Sequence, residues 1–176
     1  PTRRSSDLIQ LHKHIPIGAG LGGGSADAAL TLMGLNQLFE LELNKTQLKK
    51  YALQLGADCP FFIDDRPALV EGIGEKLSPI DLDLSVFEIR LVMPGIHIST
   101  AEAYAGVSPK IPENPLRELI KLPIEKWKGK IKNDFEKSIF IKHPKLQSIK
   151  EQLYKEGAIY AAMSGSGSTL YGFFEK

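Results

Sequence analysis

Two short stretches of this 176-residue chain concentrate residues able to handle a charged oxygen ligand, and a carboxylate lies between them. The first stretch is Pro16-Ile-Gly-Ala-Gly-Leu-Gly-Gly-Gly-Ser25. Glycine has no Cβ and adopts positive φ freely, so such a backbone can fold tightly against an anion. The stretch leads into a helical pattern, where unpaired N–H groups and the helix dipole favour phosphate. Ser25 reads as the N-cap of that helix, and its hydroxyl could reach a phosphate-bound Mg²⁺. Three other patterns compete. A Walker loop needs a lysine before the hydroxyl residue, and none stands here. A dinucleotide fingerprint fits formally through Gly18, Gly20 and Gly23, with Glu42 at a suitable distance beyond. A plain flexible turn is the third, and five glycines set between a strand and a helix argue against it.

The carboxylate is Asp58, in Leu55-Gly-Ala-Asp-Cys-Pro-Phe-Phe62. Following a helix-ending glycine, it could project into a cleft, orient a substrate hydroxyl and accept its proton. Read alone, it fits better as a cap on the next helix. The second anion-binding stretch is Met163-Ser-Gly-Ser-Gly-Ser-Thr169, where backbone and hydroxyl donors alternate; read alone, it is a hairpin turn. His12 and His14 share one strand face but have no third ligand near in sequence, which argues against zinc.

These groups need elements to hold them. Residues 9–15 alternate as a strand with Ile9, Leu11 and Ile15 on one face. A helix follows from Ser25. A second starts at Asn44 or Thr46 and ends at Gly56, a candidate C′ glycine. A third element starts at Asp58-Cys-Pro60. Short strands are expected at 68–71 and 75–77. Composition shifts near 80–84. A strong strand covers 86–93, and Ser99-Thr-Ala-Glu102 is a capping box that opens another helix. Helices over 134–141 and 144–156 precede strands at 159–163 and 169–174. The order predicts an α+β protein in two lobes, residues 1–82 and 83–176.

Net charge is +1, from 22 basic and 21 acidic residues. That balance argues against a nucleic-acid wrapper. Arg117 to Lys155 is locally basic and reads as a solvated helical face. No apolar run approaches the roughly 20 residues of a membrane span. The single cysteine, Cys59, can form no internal disulfide, which suits a reducing cytoplasm. Residues 1–8, PTRRSSDL, have neither a Met start nor an amphipathic pattern. They resemble a translated sequencing adapter and are set aside. A strand at 9–15 would need neighbours that nothing upstream supplies, so a front section is expected to be missing, and residues after Lys176 with it.

The run from His12 through Gly18-Ala-Gly-Leu-Gly-Gly-Gly24, Ser25 and Ala29 resembles the ATP loop of the GHMP kinases. Its triple glycine before Ser25 resembles more closely that of the diphosphocytidyl-methylerythritol kinases among them. Leu-Gly-Ala-Asp-Cys-Pro-Phe-Phe is similar to the segment carrying that family's catalytic base, and 164–168 is similar to its third motif. The resemblance spans about Ile9 to Phe174 and implies the following. The fold is a two-lobe GHMP fold, with an incomplete N-terminal lobe like ribosomal protein S5 domain 2 and a ferredoxin-like C-terminal lobe. ATP and Mg²⁺ bind at Pro16, Gly18, Ala19, Gly20, Leu21, Gly22, Gly23, Gly24 and Ser25, and at Ser164, Gly165, Ser166, Gly167 and Ser168. Many members have two hydroxyl residues in a row; here Ala26 follows Ser25, leaving Ser25 as the metal contact. Asp58 is the base, Lys13 and Thr100 meet the substrate, and Asn133-Asp-Phe-Glu136 is structural. The substrate is a cytidine diphosphate-linked methylerythritol, phosphorylated on its 2-hydroxyl. The parent enzyme is a cytoplasmic monomer or weak homodimer. The missing front section would carry a lysine paired with the base and the residues that hold the cytosine.

Overall fold

The structure, a computed structural model, describes residues 10–176; Ile9, the first residue of the expected strand, lies outside them. The chain is α+β. Helix α1 (Gly23–Leu38) packs on α2 (Lys45–Leu55) and α3 (Phe61–Asp64). A hairpin of β1 (Ala68–Glu71) and β2 (Lys76–Pro79) follows. Strand β3 (Phe87–Val92) leads to α4 (Thr100–Ala105) and α5 (Leu116–Leu119). The chain closes with α6 (Glu136–Lys142), α7 (Pro144–Lys155), β4 (Tyr160–Met163) and β5 (Leu170–Glu175). The three late strands form an antiparallel sheet in the order β3-β5-β4.

Period-2 alternation in β4 and β5 divides their side chains between two cores. Ala161, Met163, Leu170 and Phe174 join Ile139, Leu146 and Leu153 of α6 and α7. Tyr160, Ala162 and Phe173 face the opposite way, onto Ile124 and Trp127. Both faces of β4 and β5 are therefore covered and these strands are almost wholly buried, whereas β3 is largely exposed. The third core is smaller, built from Ala29, Leu48, Ala52, Cys59 and Ile63.

Three local expectations are corrected. Residues 10–15 form no strand, because a strand needs a partner's hydrogen bonds and the described residues place none beside it. Helix α1 starts at Gly23, not after Ser25; Gly22, at φ 67°, is its N-cap. A left-handed residue there turns the chain so that the Gly22 carbonyl accepts from Ala26 N–H (2.9 Å). Gly56 ends α2 with extended backbone, φ 174°, and so is no left-handed cap.

Candidate active site

Three alternating glycines shape the first loop. Gly18, Gly20 and Gly22 all have positive φ, at 76°, 75° and 67°. Gly20 also has no room for a side chain: a Cβ there would lie 2.6 Å from the Gly167 carbonyl oxygen and closer still to that of Ser164. The glycine loop is thus pressed directly against residues 164–168. Two hydrogen bonds latch them. Ser164 Oγ donates to the Gly20 carbonyl (2.7 Å), and Thr169 N–H donates to the Ala19 carbonyl (3.1 Å).

Beyond the latch, α1 begins. Its N–H groups ahead of Ala26 have no helical acceptor, and they carry the positive end of the dipole. Gly24 is exposed and a Cβ there would meet nothing within 4 Å, whereas one at Gly23 would lie 3.4 Å from the Ile15 side chain. Ser25 sits in the first turn of α1, half-buried. Lys13 Nζ, ahead of the loop, donates to Asp27 Oδ2 on α1.

Asp58 reaches this neighbourhood through its neighbours. Cys59 is buried against the core that holds Ala29 and Ala52. The Phe62 ring lies where a Gly22 side chain would be, 2.9 Å from that Cβ position. The Asp58 side chain is exposed. It caps nothing: α3 has Pro60 at its N-cap and no side-chain cap bond, so the capping alternative is not what forms. Cys59 packs, as expected for a small apolar side chain. Behind the segment, Asp64 is held below the usual carboxylate range, first by its hydrogen bond from Lys49 and then by the charges of Lys49, Arg66 and Lys45.

Residues 164–168 form a tight turn. Ser164 N–H bonds Thr169 O (2.8 Å) and Gly167 N–H bonds Ser164 O (2.9 Å). Gly165 and Gly167 have φ 53° and 93°. The Ser168 hydroxyl donates to the Ile96 carbonyl, so with Ser164 it serves to hold the loop. Ser166 is half-buried. Thr169 is wholly buried and its Oγ1 has no hydrogen-bond partner among the described residues. It borders a cavity of about 120 Å³ shared by Gly18, Ala19, Ile96, His97 and Ser168. Thr100 is exposed at the first position of α4. Ser99 caps that helix through Glu102 N–H (3.1 Å). The reciprocal half of the capping box does not form; the Glu102 carboxylate turns instead to Lys142 and His143, each at 3.4 Å.

The structure therefore gathers the glycine loop, the start of α1, the segment carrying Asp58, and residues 164–168. Thr100 is tied to the group through Ile98, which packs at Gly167. The dinucleotide alternative fails, because that fingerprint belongs to a parallel βαβ unit and both sheets here are antiparallel. His12 and His14 lie with ring centroids 4.7 Å apart. Among the described residues no cluster of three or more His, Cys, Asp or Glu could hold a metal ion, and no helix is long and apolar enough to cross a membrane. Sequence reading passed over Asp27, whose signal was a charge in an apolar helix start. It also passed over His97, which nothing in spacing marks.

Comparison with known proteins gives the same order of parts. The family model for the GHMP kinases N terminal domain matches residues 4–66, and that for the GHMP kinases C terminal domain matches residues 116–176. A 4-diphosphocytidyl-2-C-methyl-D-erythritol kinase of Bacteroides thetaiotaomicron is 52% identical over 167 residues, covering 95% of this chain and 61% of that protein. A kinase of the same name from Citrifermentans bemidjiense is 42% identical over 176 residues, covering 95% of this chain and 60% of that protein. A crystal structure of 4-(cytidine 5'-diphospho)-2C-methyl-D-erythritol kinase superposes with TM-score 0.73 at 34% identity, covering 92% of this chain and 59% of that one. Homoserine kinase from Cytophaga hutchinsonii shares the fold alone, with TM-score 0.67 at 15% identity over 93% of this chain and 59% of its own. The chain spans about three fifths of the length of the relatives it matches.

Proposed function

Since the chain belongs to the GHMP kinase family, we propose that it carries the phosphate-handling part of an ATP-dependent kinase acting on 4-diphosphocytidyl-2-C-methyl-D-erythritol. The reaction moves the γ-phosphoryl group of ATP to the 2-hydroxyl of that substrate, in non-mevalonate isoprenoid synthesis. The observation that carries this reading is the latch between Gly20 and Ser164 beside the N-terminus of α1, which is exposed at Gly24. The N–H groups at the start of α1, which have no helical acceptor, then stand beside the latched loops and favour a polyphosphate there.

The parts take these roles. Gly18, Ala19, Gly20, Leu21, Gly22, Gly23 and Gly24 offer the ATP phosphates the backbone of a glycine-rich loop. Residues 164–168 close it from the far side. Ser25, in the first turn of α1, supplies the hydroxyl for Mg²⁺. The dipole end of α1, exposed at Gly24, and the Ser25 hydroxyl one residue on suit a metal–polyphosphate, and the ion when bound would offset the charge on the phosphates. Asp58 accepts the proton as the substrate oxygen forms its bond to Pγ and the bond from Pγ to the bridging oxygen of ADP breaks. Lys13 and Thr100 flank the acceptor. A cytoplasmic enzyme, monomeric or weakly dimeric, with no nucleic-acid partner, is the setting that suits this chemistry.

Coupled ADP release with Mg-ATP and the cytidine diphosphate-linked substrate tests the proposal. It is run on this chain and on a version extended to the relatives' full length, with and without Asp58→Asn. Loss of a general base lowers turnover by about 10²–10⁴-fold. An extended protein that binds ATP but ignores this substrate keeps the phosphate site and overturns the substrate. Full activity in Asp58→Asn overturns the base.

A further inference from the structure

We infer that Asn133 and Glu136 are positioning residues that hold the 164–168 loop in register against the glycine loop; the inference deepens the kinase reading above and rests on it. β4 is an outer strand in the order β3-β5-β4, yet all four of its residues are buried. An edge strand has outward N–H and C=O groups that must find partners. Here side chains supply them. Tyr154 Oη donates to the Ala161 carbonyl (3.2 Å) and accepts from Ala161 N–H (3.1 Å). Glu136 Oε1 accepts from Met163 N–H (2.8 Å), and Asn133 Nδ2 donates to the Met163 carbonyl (2.8 Å).

The last two bonds do more than finish an edge. Met163 is the residue from which the loop departs. Asn133 Nδ2 spends its second proton on the Gly165 carbonyl, inside the loop (2.7 Å). Its Oδ1 accepts from Phe135 N–H (3.0 Å), which fixes the amide's orientation. An amide offers two donors and an acceptor at once, and a carboxylate offers no donor. Asparagine is therefore the type this position needs. Glu136 is buried, and its second oxygen is held by Lys150 of α7 (2.6 Å). A rigid line runs from α7 through Lys150 and Glu136 to Met163, and from Asn133 to Gly165. The fit across the loops is close: a Cβ at Gly165 would lie 3.3 Å from the Gly20 carbonyl oxygen. Small displacements of 164–168 would break the latch to Ala19 and Gly20.

The test uses the chain itself and its full-length extension, with Asn133→Ala, Asn133→Asp and Glu136→Gln. Amide hydrogen exchange without nucleotide reads the Gly167 and Thr169 N–H groups. Mg-ADP titration reads the site, and thermal unfolding reads the core. Asn133→Ala is expected to speed exchange at those amides about tenfold while β5 and α7 stay unchanged, and to weaken Mg-ADP by about tenfold. Asn133→Asp, with a carboxylate against two carbonyls, is expected to do the same or worse. Glu136→Gln keeps an acceptor for Met163 N–H and should recover most of the protection. Unchanged exchange at Gly167 and Thr169, or a uniform rise through β4, β5 and α7, overturns the inference. If the unsubstituted extended protein binds no Mg-ADP, the kinase reading falls, and the exchange arm still decides the clamp.

Discussion

Gly20 and Gly34 are both glycines within 15 residues of each other, yet their surroundings demand opposite things. Gly20 has φ 75° and backbone oxygens where its Cβ would be. An alanine there bears a left-handed penalty of about 1–2 kcal/mol and also pushes the 164–168 loop away. Gly34 lies inside α1, exposed, with nothing within 4 Å of a Cβ. In a helix interior alanine is better than glycine by about 1 kcal/mol. Gly20→Ala is therefore expected to lower stability by at least about 1–2 kcal/mol and to abolish measurable Mg-ADP binding. Gly34→Ala should raise stability by about 1 kcal/mol without touching affinity. Urea unfolding and Mg-ADP titration of both variants decide it; Gly20→Ala binding normally would mean the loops need not touch.

At the scale of elements, the α2–α3 pair positions Asp58, and an ion pair ties it. Lys49 and Lys45 of α2 face Asp64 of α3. The Lys49 hydrogen bond, before any other cause, holds the Asp64 carboxyl below its ordinary range. Its folded pKa is depressed, so the stabilisation is present above the unfolded pKa and is lost as pH falls through the folded one. Asp64→Asn should cost up to about 1 kcal/mol at pH 7, and the gap to the parent chain should close below about pH 4. Denaturant melts at a series of pH values check this; a gap independent of pH would mean the pair contributes no charge term. The elements themselves were largely legible. Periodicity placed α7, β3, β4 and β5 to within a residue or two, because the buried β4 and β5, the apolar and β-branched β3 and a Pro-started helix leave strong marks. The capping pair Asn44 and Gln47, with both bonds formed, gave α2 its start. The strand at 9–15 failed because alternation describes a face and not a partner. The N-cap was misplaced by three residues, at Ser25 instead of Gly22, because a glycine N-cap leaves no side-chain signal. In the site, the glycine and serine loops were visible as composition. Their mutual latch was not, since Gly20 and Ser164 stand far apart in sequence and only the fold joins them. Asn133 and Glu136 looked merely structural for the same reason.

Across the whole molecule, packing is uneven, and this has a consequence for binding. Both faces of the β3-β5-β4 sheet carry large side chains, among them Ile139, Leu146, Trp127, Tyr160 and Phe173. The core under α1 is built around two alanines, a cysteine, a leucine and an isoleucine. Of the 16 residues of α1, only Ala29 is buried, and Leu38 and the following Phe39 are 73% and 62% exposed. Helical stability in proteins comes mainly from packing an apolar face, and local opening costs least where few apolar contacts are lost. Amides of α1 should therefore exchange faster than those of α7 and β5 by several orders of magnitude, toward the low end of the range of opening energies. A nucleotide gripped between the start of α1 and residues 164–168 binds only when both are in place. It should then slow exchange in α1 far more than in β5, by the factor 1 + [L]/Kd for openings that release the ligand. Native-state hydrogen exchange with and without Mg-ADP measures both effects. If α1 is as protected as β5 without nucleotide, the latch from Ala19 and Gly20 to the sheet already makes the molecule one cooperative unit, and the loop junction contributes more to its stability than the small core beneath α1.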